Sequence, residues 1–443
     1  MAFTPSYRRI WSVSYPLILA GISETVVEVT DAIFLARYGL TELAAIGLAG
    51  AIFAFATFLT LGLVDAIQIV IGRRVGEREP ASVGRAFNQG LYLLALASLL
   101  MIGVILFVLP AFTREVLASV EVHLAVHDYL RIAAFGLLFN AINLAYSAFY
   151  VGISRTRVLI GATVVLAVTN ILLDYLLIFG NFGLPEMGIA GAGVASLGAE
   201  IAAVLFITAD VIRRRYTVSY GLLRFTRWDG AMARHLVGIG TPVSLDALVE
   251  TARWFLFFLI IEQLGEQSLA IATIVYSCYA VFLIPVDAFS ESVCSMVSNL
   301  IGQRRQGQLG LLIRRAMTLS LAGVVPVLLI TGLAPEWVLS LFTPDEDLIE
   351  AALISLMVVM LATFIAVPAE AFNAAVAGTG DTWAALAIQV VISLTTLTVA
   401  AVAAFGLGLS LPWVWAAEVA GWLVCLIAAW TWFVSGAWRR LRI

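Results

Sequence analysis

Lysine is missing altogether: all 25 basic residues of this 443-residue chain are arginine, which we read as a coding bias. Charge of either sign is scarce, at 12% of residues, where a soluble domain carries about a quarter. With 62% hydrophobic residues and a mean hydropathy of +1.02, that scarcity excludes a soluble multidomain enzyme and a disordered protein. A net charge of −4 leaves no basic face for a phosphate backbone, so no nucleic-acid partner is expected. The three cysteines (Cys278, Cys294, Cys425) lie in apolar runs without a CxxC pair, which excludes a disulfide framework or a cysteine metal site. Histidine is nearly as rare. His123 and His127 form HLAVH, which lacks the glutamate of the HExxH zinc motif and reads as interfacial. A Walker-type loop and any nucleophile–base arrangement within the apolar runs are also lacking. The chain therefore reads as no ATPase and no enzyme, with no cofactor.

What is present is a series of long apolar runs. A spanning helix needs roughly 20 mostly apolar residues. Twelve such spans are expected, centred near Ala20, Phe58, Ser98, Asn140, Val168, Ala202, Phe257, Phe282, Val324, Val359, Val391 and Trp422. Breaks rich in Gly, Pro and charge separate them, for example Gly76–Pro80, Phe182–Glu186 and Thr343–Asp347. The first run follows Arg8 and Arg9 but contains Glu24, Glu28 and Asp31, and reads as a first membrane helix rather than a cleaved signal. Arginines concentrate at the two ends and in every second loop, notably Arg73–Arg85, Arg155–Arg157, Arg213–Arg234 and Arg304–Arg315. The loops between hold only Arg37 and Arg114. By the positive-inside rule both termini are cytoplasmic, which requires an even number of spans.

Shifting the chain by 226 positions aligns its halves without a gap. Pro16 falls on Pro242, Glu24-Thr25 on Glu250-Thr251, Gly39 on Gly265, Gly76 on Gly302, Arg78 on Arg304 and Gly152 on Gly378. The expected architecture is all-α, with two six-helix lobes in the same orientation, related by a pseudo-two-fold along the membrane normal. Residues 1–212 form the first lobe, 213–235 a cytoplasmic linker and 236–443 the second lobe. Such repeats mark transporters, with sites near mid-membrane.

The acids that stay in the membrane are the candidate working residues. A charged side chain at the bilayer centre costs roughly 2.5–3.5 kcal/mol on insertion scales, so each must face a cavity or a partner. Glu24, Glu28 and Asp31 stand at i, i+4 and i+7, on one face of the first span. Asn170 and Asp174 are four apart on the fifth, and Asn140 and Asn143 lie on the fourth. Together they make an oxygen-rich cluster suited to Na⁺ or to a shared proton, because desolvation and like charge both favour proton uptake by crowded carboxylates in general. In the second half, Glu250 and Glu370 are deepest, with Asp246, Asp287, Glu291 and Glu418 as further acids. Arg253, three residues from Glu250, either pairs with it or extends to an interface. Tyr146, Tyr150, Tyr276 and Tyr279 are candidate faces for a cation.

These residues resemble the MATE family of multidrug and toxic compound extrusion antiporters over nearly the whole chain. The resemblance rests on Pro16 through Asp31-Ala32-Ile33-Phe34-Leu35-Ala36-Arg37-Tyr38-Gly39, on Gly72-Arg73-Arg74-Val75-Gly76, on Asn170-Ile171-Leu172-Leu173-Asp174 and on Gly188-Ile189-Ala190-Gly191-Ala192. It implies twelve helices in two lobes around a cavity with alternating access, in a monomer of a bacterial or archaeal inner membrane. It implies an amino-lobe cation site at Asp31, Asn170 and Asp174, with Asn140 or Asn143 and Ser196; Asp31 and Asp174 would be the Na⁺ ligands if sodium is the coupling ion. It places carboxy-lobe acids at Glu250 and Glu370. Glu24 and Glu28, where the family more often has amides, and Arg253 are departures.

The expected function is a cation-coupled antiporter, driven by H⁺ or Na⁺, that exports amphipathic and often cationic organic compounds. A flippase for lipid-linked precursors in the same superfamily is the alternative; it would want cationic cavity residues, which are nearly absent. A channel is disfavoured by the repeat.

Overall fold

A computed structural model describes residues 4–117, 119–224, 226–343 and 345–440; Pro344, within the Thr343–Asp347 break, and Arg442, among the arginines of the carboxy end, lie outside them. Among the described residues the structure is helical and has no strand. In lipid every backbone N–H and C=O must be satisfied within the segment, and apolar runs of this length meet that demand as helices. In chain order the long helices are α1 (Tyr7–Tyr38), α2 (Leu40–Glu77), α3 (Pro80–Gly103), α4 (Val120–Ala133), α5 (Gly136–Gly152), α6 (Arg157–Leu177) and α7 (Ile189–Arg213). They continue as α8 (Gly230–Glu262), α9 (Glu266–Gly302), α10 (Leu309–Leu333), α11 (Glu346–Gly378), α12 (Thr382–Ala401) and α13 (Leu411–Ser435).

Among the described residues, nine helices are long and apolar enough to cross a membrane, and α4 with α5 makes a tenth span. The sequence reads this tenth span as one helix centred near Asn140. It is instead broken by a 50° bend. Gly136 opens the second half, and a glycine is among the few ordinary causes of so sharp a kink. At 32 and 33 residues, α1 and α8 would each extend about 48 Å at the α-helical rise, more than a bilayer core of roughly 30 Å. Each of the twelve sequence-derived centres falls in one of these long helices, α5 holding Asn140, and the chain is a multi-pass integral membrane protein.

By contacts the chain divides into two units: Tyr15–Ser244, here the amino unit, and Met1–Ser14 with Leu245–Ile443, the carboxy unit. The division falls inside α1 and α8, beside their prolines Pro16 and Pro242. The first turns of α1 accordingly pack in the carboxy unit. Ser14 Oγ donates to Ser292 Oγ at 2.8 Å, Trp11 lies against Phe289, and Arg315 donates to Pro5 O at 2.7 Å. The first turns of α8 pack in the amino unit, where Gly62 of α2 touches Gly240 and Ser244 so closely that a Cβ there would strike their backbone.

The 226-residue repeat reappears in backbone geometry. Positive φ occurs at Arg78 and Arg304 (64° and 58°), at Ser154 and Gly380 (55° and 92°) and at Phe182 and Gly408 (57° and 58°). These are rare conformations for side-chain-bearing residues, and chance would not pair them in one register. Gly152 lies against Gln68 and Ile71 of α2, and Gly378 lies against Cys294 of α9, the residue 226 positions beyond Gln68. Small residues let membrane helices approach this closely. Gly378→Val should therefore lower stability by about 1–3 kcal/mol, the ordinary cost of overpacking. Gly310→Ala, where nothing lies within 4 Å, should not lower it. Thermal unfolding in detergent tests the pair, and equal midpoints would refute the close-contact reading.

Each unit has its own core. In the amino unit Leu35, Ala45, Tyr129, Leu130 and Ile189 are buried together. In the carboxy unit Phe257, Tyr279, Phe282, Val359 and Trp415 are buried together, with Trp254 and Tyr276 packed against them. Edge-to-face pairs such as Trp254–Tyr276 (4.7 Å) and Phe257–Trp415 (5.1 Å) each contribute about 0.5–1.5 kcal/mol beyond area burial.

Candidate functional site

In the amino unit, the i, i+4 spacing on α6 points Asn170 and Asp174 the same way. Both are buried, at 2% and 0% exposure. Half-buried Asp31 of α1 meets them. The Asn170 amide, assigned with its nitrogen toward the acids, donates to Asp31 Oδ1 at 3.0 Å and to Asp174 Oδ2 at 3.2 Å. The Asp31 and Asp174 carboxyl groups also lie within hydrogen-bonding reach of each other. A carboxyl donates to another only when one of the two carries a proton. Three of the expected residues thus converge on one point from two helices.

The other expected members are placed differently. Ser196 of α7 meets the hydroxyl of Tyr129 of α4 at 3.4 Å, and Tyr129 is within electrostatic reach of both Asp31 and Asp174. Asn140 and Asn143 of α5 face α7 rather than α6. Asn140 Nδ2 donates to Glu200 Oε1 at 2.9 Å, and Asn143 Nδ2 donates to Glu200 Oε2 at 2.5 Å. Glu24 is exposed and lies within electrostatic reach of Glu28 and Glu200. The amino unit therefore holds two polar centres, Asp31–Asn170–Asp174 and Glu200–Asn140–Asn143. Tyr129 and Glu200 are absent from the sequence reading. For Glu200 a signal existed, an acid near the middle of the apolar sixth span; for Tyr129 there was none.

In the carboxy unit, Asp246, Glu250, Asp287, Glu370 and Glu418 line one cavity of about 220 Å³. Arg253 is settled by the fold. It is 4% exposed, so it extends to no interface, and its main partner is not Glu250. Its Nη1 pairs with Glu418, which is 2% exposed, while Nη2 is 3.9 Å from Glu250 Oε1. The guanidinium lies 4.5 Å from the centroid of the Trp254 ring. Tyr279 OH donates to Glu418 Oε2 at 3.5 Å and accepts from Trp422 Nε1 at 2.5 Å. Tyr146 and Tyr150 are buried packing residues, with hydroxyls on Thr208 (3.0 Å) and Asp210 (2.8 Å). Thr113 hydrogen-bonds His123 Nδ1 at 3.0 Å.

Comparison with known proteins bears on the whole chain. The MatE family model matches residues 16–176 and 242–411, one segment in each half of the repeat. The chain is 27% identical over 353 residues to a protein of Aromatoleum aromaticum named "Probable multidrug resistance protein NorM", covering 78% of this chain and 74% of that one. A protein of the same name from Thermotoga maritima is 26% identical over 438 residues, covering 96% and 92%. Among solved structures, an outward-facing multidrug resistance MATE family transporter superposes with a TM-score of 0.90 at 20% identity, covering 99% and 98%. A MOP superfamily transporter from Pyrococcus furiosus, whose binding pocket is described as reversed in polarity, superposes with a TM-score of 0.89 at 21% identity and the same coverage. These structures establish the fold.

Proposed function

The chain belongs to the MatE family, and on that premise we propose that it is a cation-coupled antiporter exporting amphipathic, often cationic, organic compounds. The observation that carries this reading is the Asp31–Asn170–Asp174 centre, two membrane-embedded carboxyl groups from different helices joined by one amide. Multidrug resistance relatives that align along most of the chain support the substrate class.

The mechanism follows from charge. With both carboxyl groups ionised, α1 and α6 repel each other at this point; a cation between them removes the repulsion and lets Asp31 approach Asn170 and Asp174. Because Asp31 belongs to α1 and the other two to α6, occupancy alters how α1 packs in the amino unit. A coupling ion drives transport only by binding two conformations differently, and a site whose two halves lie on separate helices is one that a relative movement of those helices would make or break. Each inward charge also gains roughly 2.3 kcal/mol per 100 mV of membrane potential. The reading we favour for the ion is a proton, because the two carboxyl groups lie within hydrogen-bonding reach and one can donate to the other only when a proton is shared between them. Na⁺, held by Asp31 and Asp174, is the competing occupant.

Dye export from proteoliposomes with a proton gradient or a sodium gradient imposed separately tests the assignment. Export is expected with the proton gradient alone. Export driven only by sodium would transfer the coupling role to Na⁺, and export driven by neither would remove the antiporter reading.

A further inference from the structure

The linker between α7 and α8 is unused by that mechanism, and it is packed into the amino unit along α3 and α5. Leu222 is 0% exposed, and Tyr216 and Tyr220 meet Phe149 of α5 edge-to-face at 5.5 Å each. Two buried amides of α3 hold the linker backbone. Asn88 Nδ2 donates to Gly221 O and its Oδ1 accepts from Leu223 N, both at 3.0 Å. Gln89 Nε2 donates to Arg227 O and its Oε1 accepts from Asp229 N, both at 3.1 Å. Tyr92 OH donates to Thr226 O at 3.0 Å, and a Cβ on Gly84 would strike Tyr220 O. Each amide thus pairs both its donor and its acceptor with the linker, which fixes the path of that segment along α3.

That path sets a depth. The apolar helical run that opens with α3 is 36 residues long, Pro80–Glu115, about 54 Å at the α-helical rise against a hydrocarbon core of roughly 30 Å. Its ends therefore stand in the headgroup layers. Asn88 and Gln89 fall between Arg85, the last charge before the membrane, and Leu91, where the apolar run begins. The linker is pinned at the level where lipid starts. Its surface chemistry suits that level. Residues 213–229 hold five arginines and one acid, Asp229, whose carboxylate accepts from Ala231 N and Met232 N at the start of α8. Arg213 and Arg214 pair with Asp210. Arg215, Arg224 and Arg227 are exposed, and among the described residues no carboxylate pairs with them. Trp228 is 57% exposed beside Arg227, and tryptophan favours the membrane–water interface.

We propose that the linker is a membrane-docking surface for the phosphate headgroups of anionic phospholipids. Arg215, Arg224 and Arg227 supply its charge and Trp228 its apolar anchor. Basic segments beside a membrane helix gather anionic lipid in this way. Arginines that served only to orient the chain during insertion would work equally well on a loose loop, whereas here two buried amides fix where they stand. The surface concerns lipid rather than cargo, and it does not depend on the coupling ion.

The experiment is fluorescence quenching in proteoliposomes. The full-length chain carries a fluorophore at Ser219→Cys, an exposed linker position, with the unsubstituted chain taken through the same labelling as the blank. The membranes contain equal mole fractions of brominated phosphatidylglycerol or brominated phosphatidylcholine. Phosphatidylglycerol should quench at least about fivefold more, the local enrichment that one arginine near an anionic surface supplies. Arg224→Gln/Arg227→Gln, on exposed side chains, should bring that ratio toward one. Gln89→Leu keeps every arginine but frees the linker from α3, and should also lower the ratio; if it fails to fold, the arginine variant decides alone. Arg131→Gln, an exposed arginine of α4 outside the linker, should leave the ratio unchanged. Equal quenching by the two lipids, an unchanged ratio in Arg224→Gln/Arg227→Gln or in folded Gln89→Leu, or an equal loss in Arg131→Gln would each overturn the proposal. Relief of the quenching by inorganic phosphate, but not by chloride at equal ionic strength, would assign the surface to a soluble phosphate ligand and overturn membrane docking. No gradient enters the measurement, so its outcome is independent of the coupling mechanism.

Discussion

Asp31→Asn is expected to reduce substrate export to the level of protein-free vesicles while leaving expression, membrane insertion and thermal stability close to wild type. The substitution preserves shape and hydrogen-bonding capacity but removes one of the two acids that Asn170 bridges. Asn170 then faces an amide on α1, and the α1 side of the site no longer changes charge with occupancy, so ion binding no longer alters how α1 meets α6. A site that binds the coupling ion equally in both conformations shifts no equilibrium, however tightly it binds. Asp31 is half-buried at the edge of its unit rather than in the aliphatic core, so the folding cost should be small. Glu24→Gln and Glu28→Gln, on the same helix face but exposed, should retain partial export. The readout is dye accumulation in energised inverted vesicles. Near-wild-type export by Asp31→Asn would remove the first-unit coupling site from the mechanism.

Arg253→Met is expected to be among the most destabilising single substitutions in the chain. Glu418 is 2% exposed, and its ion partner is Arg253. Removing one member of a buried ion pair leaves the other charge uncompensated, at a cost of about 3–5 kcal/mol. Replacing both members by apolar residues of similar volume is often close to neutral, because two desolvation penalties disappear along with the attraction. Arg253→Met/Glu418→Met should therefore recover most of the stability lost in Arg253→Met alone. Thermal unfolding of the four proteins completes a double-mutant cycle. If the double variant is as unstable as the sum of its single variants, the pair is not the source of the effect, and the loss belongs to packing against Trp254.

The helices were legible in the sequence because twenty apolar residues in lipid have no other way to satisfy their backbones. The acids were legible for the opposite reason: each is expensive, so few are present and all stand out. Local spacing carried Asn170 and Asp174 onto one face, and the fold keeps them there. The partners of each acid were not legible. Asn140 and Asn143 meet Glu200 from about 60 residues away, and Arg253 meets Glu418 across 165 residues. The i+3 neighbour Glu250 was the nearest carboxylate in sequence, but the fold gives the tighter contact to α13. Gly136 gave no warning of a bend, since glycine is tolerated in straight membrane helices elsewhere in this chain. The repeat, by contrast, was visible both as residue identities and as backbone conformation, at Arg78 and Arg304 in particular.

The first turns of α1 and α8 carry a consequence for the protein's assembly. Each is covalently part of one half of the chain and packs with the other half's unit. A chain severed between α7 and α8 would yield two fragments, each missing the opening turns of a helix its own unit is built around. Neither fragment could complete its packing alone, so the halves would have to be present together in the membrane before either matured. During synthesis the amino half emerges first, and it must wait for Gly230–Ser244 before its last helix contact at Gly62 can close. Co-expressed halves, cut between α7 and α8, should therefore yield more folded protein in the membrane than either half expressed alone.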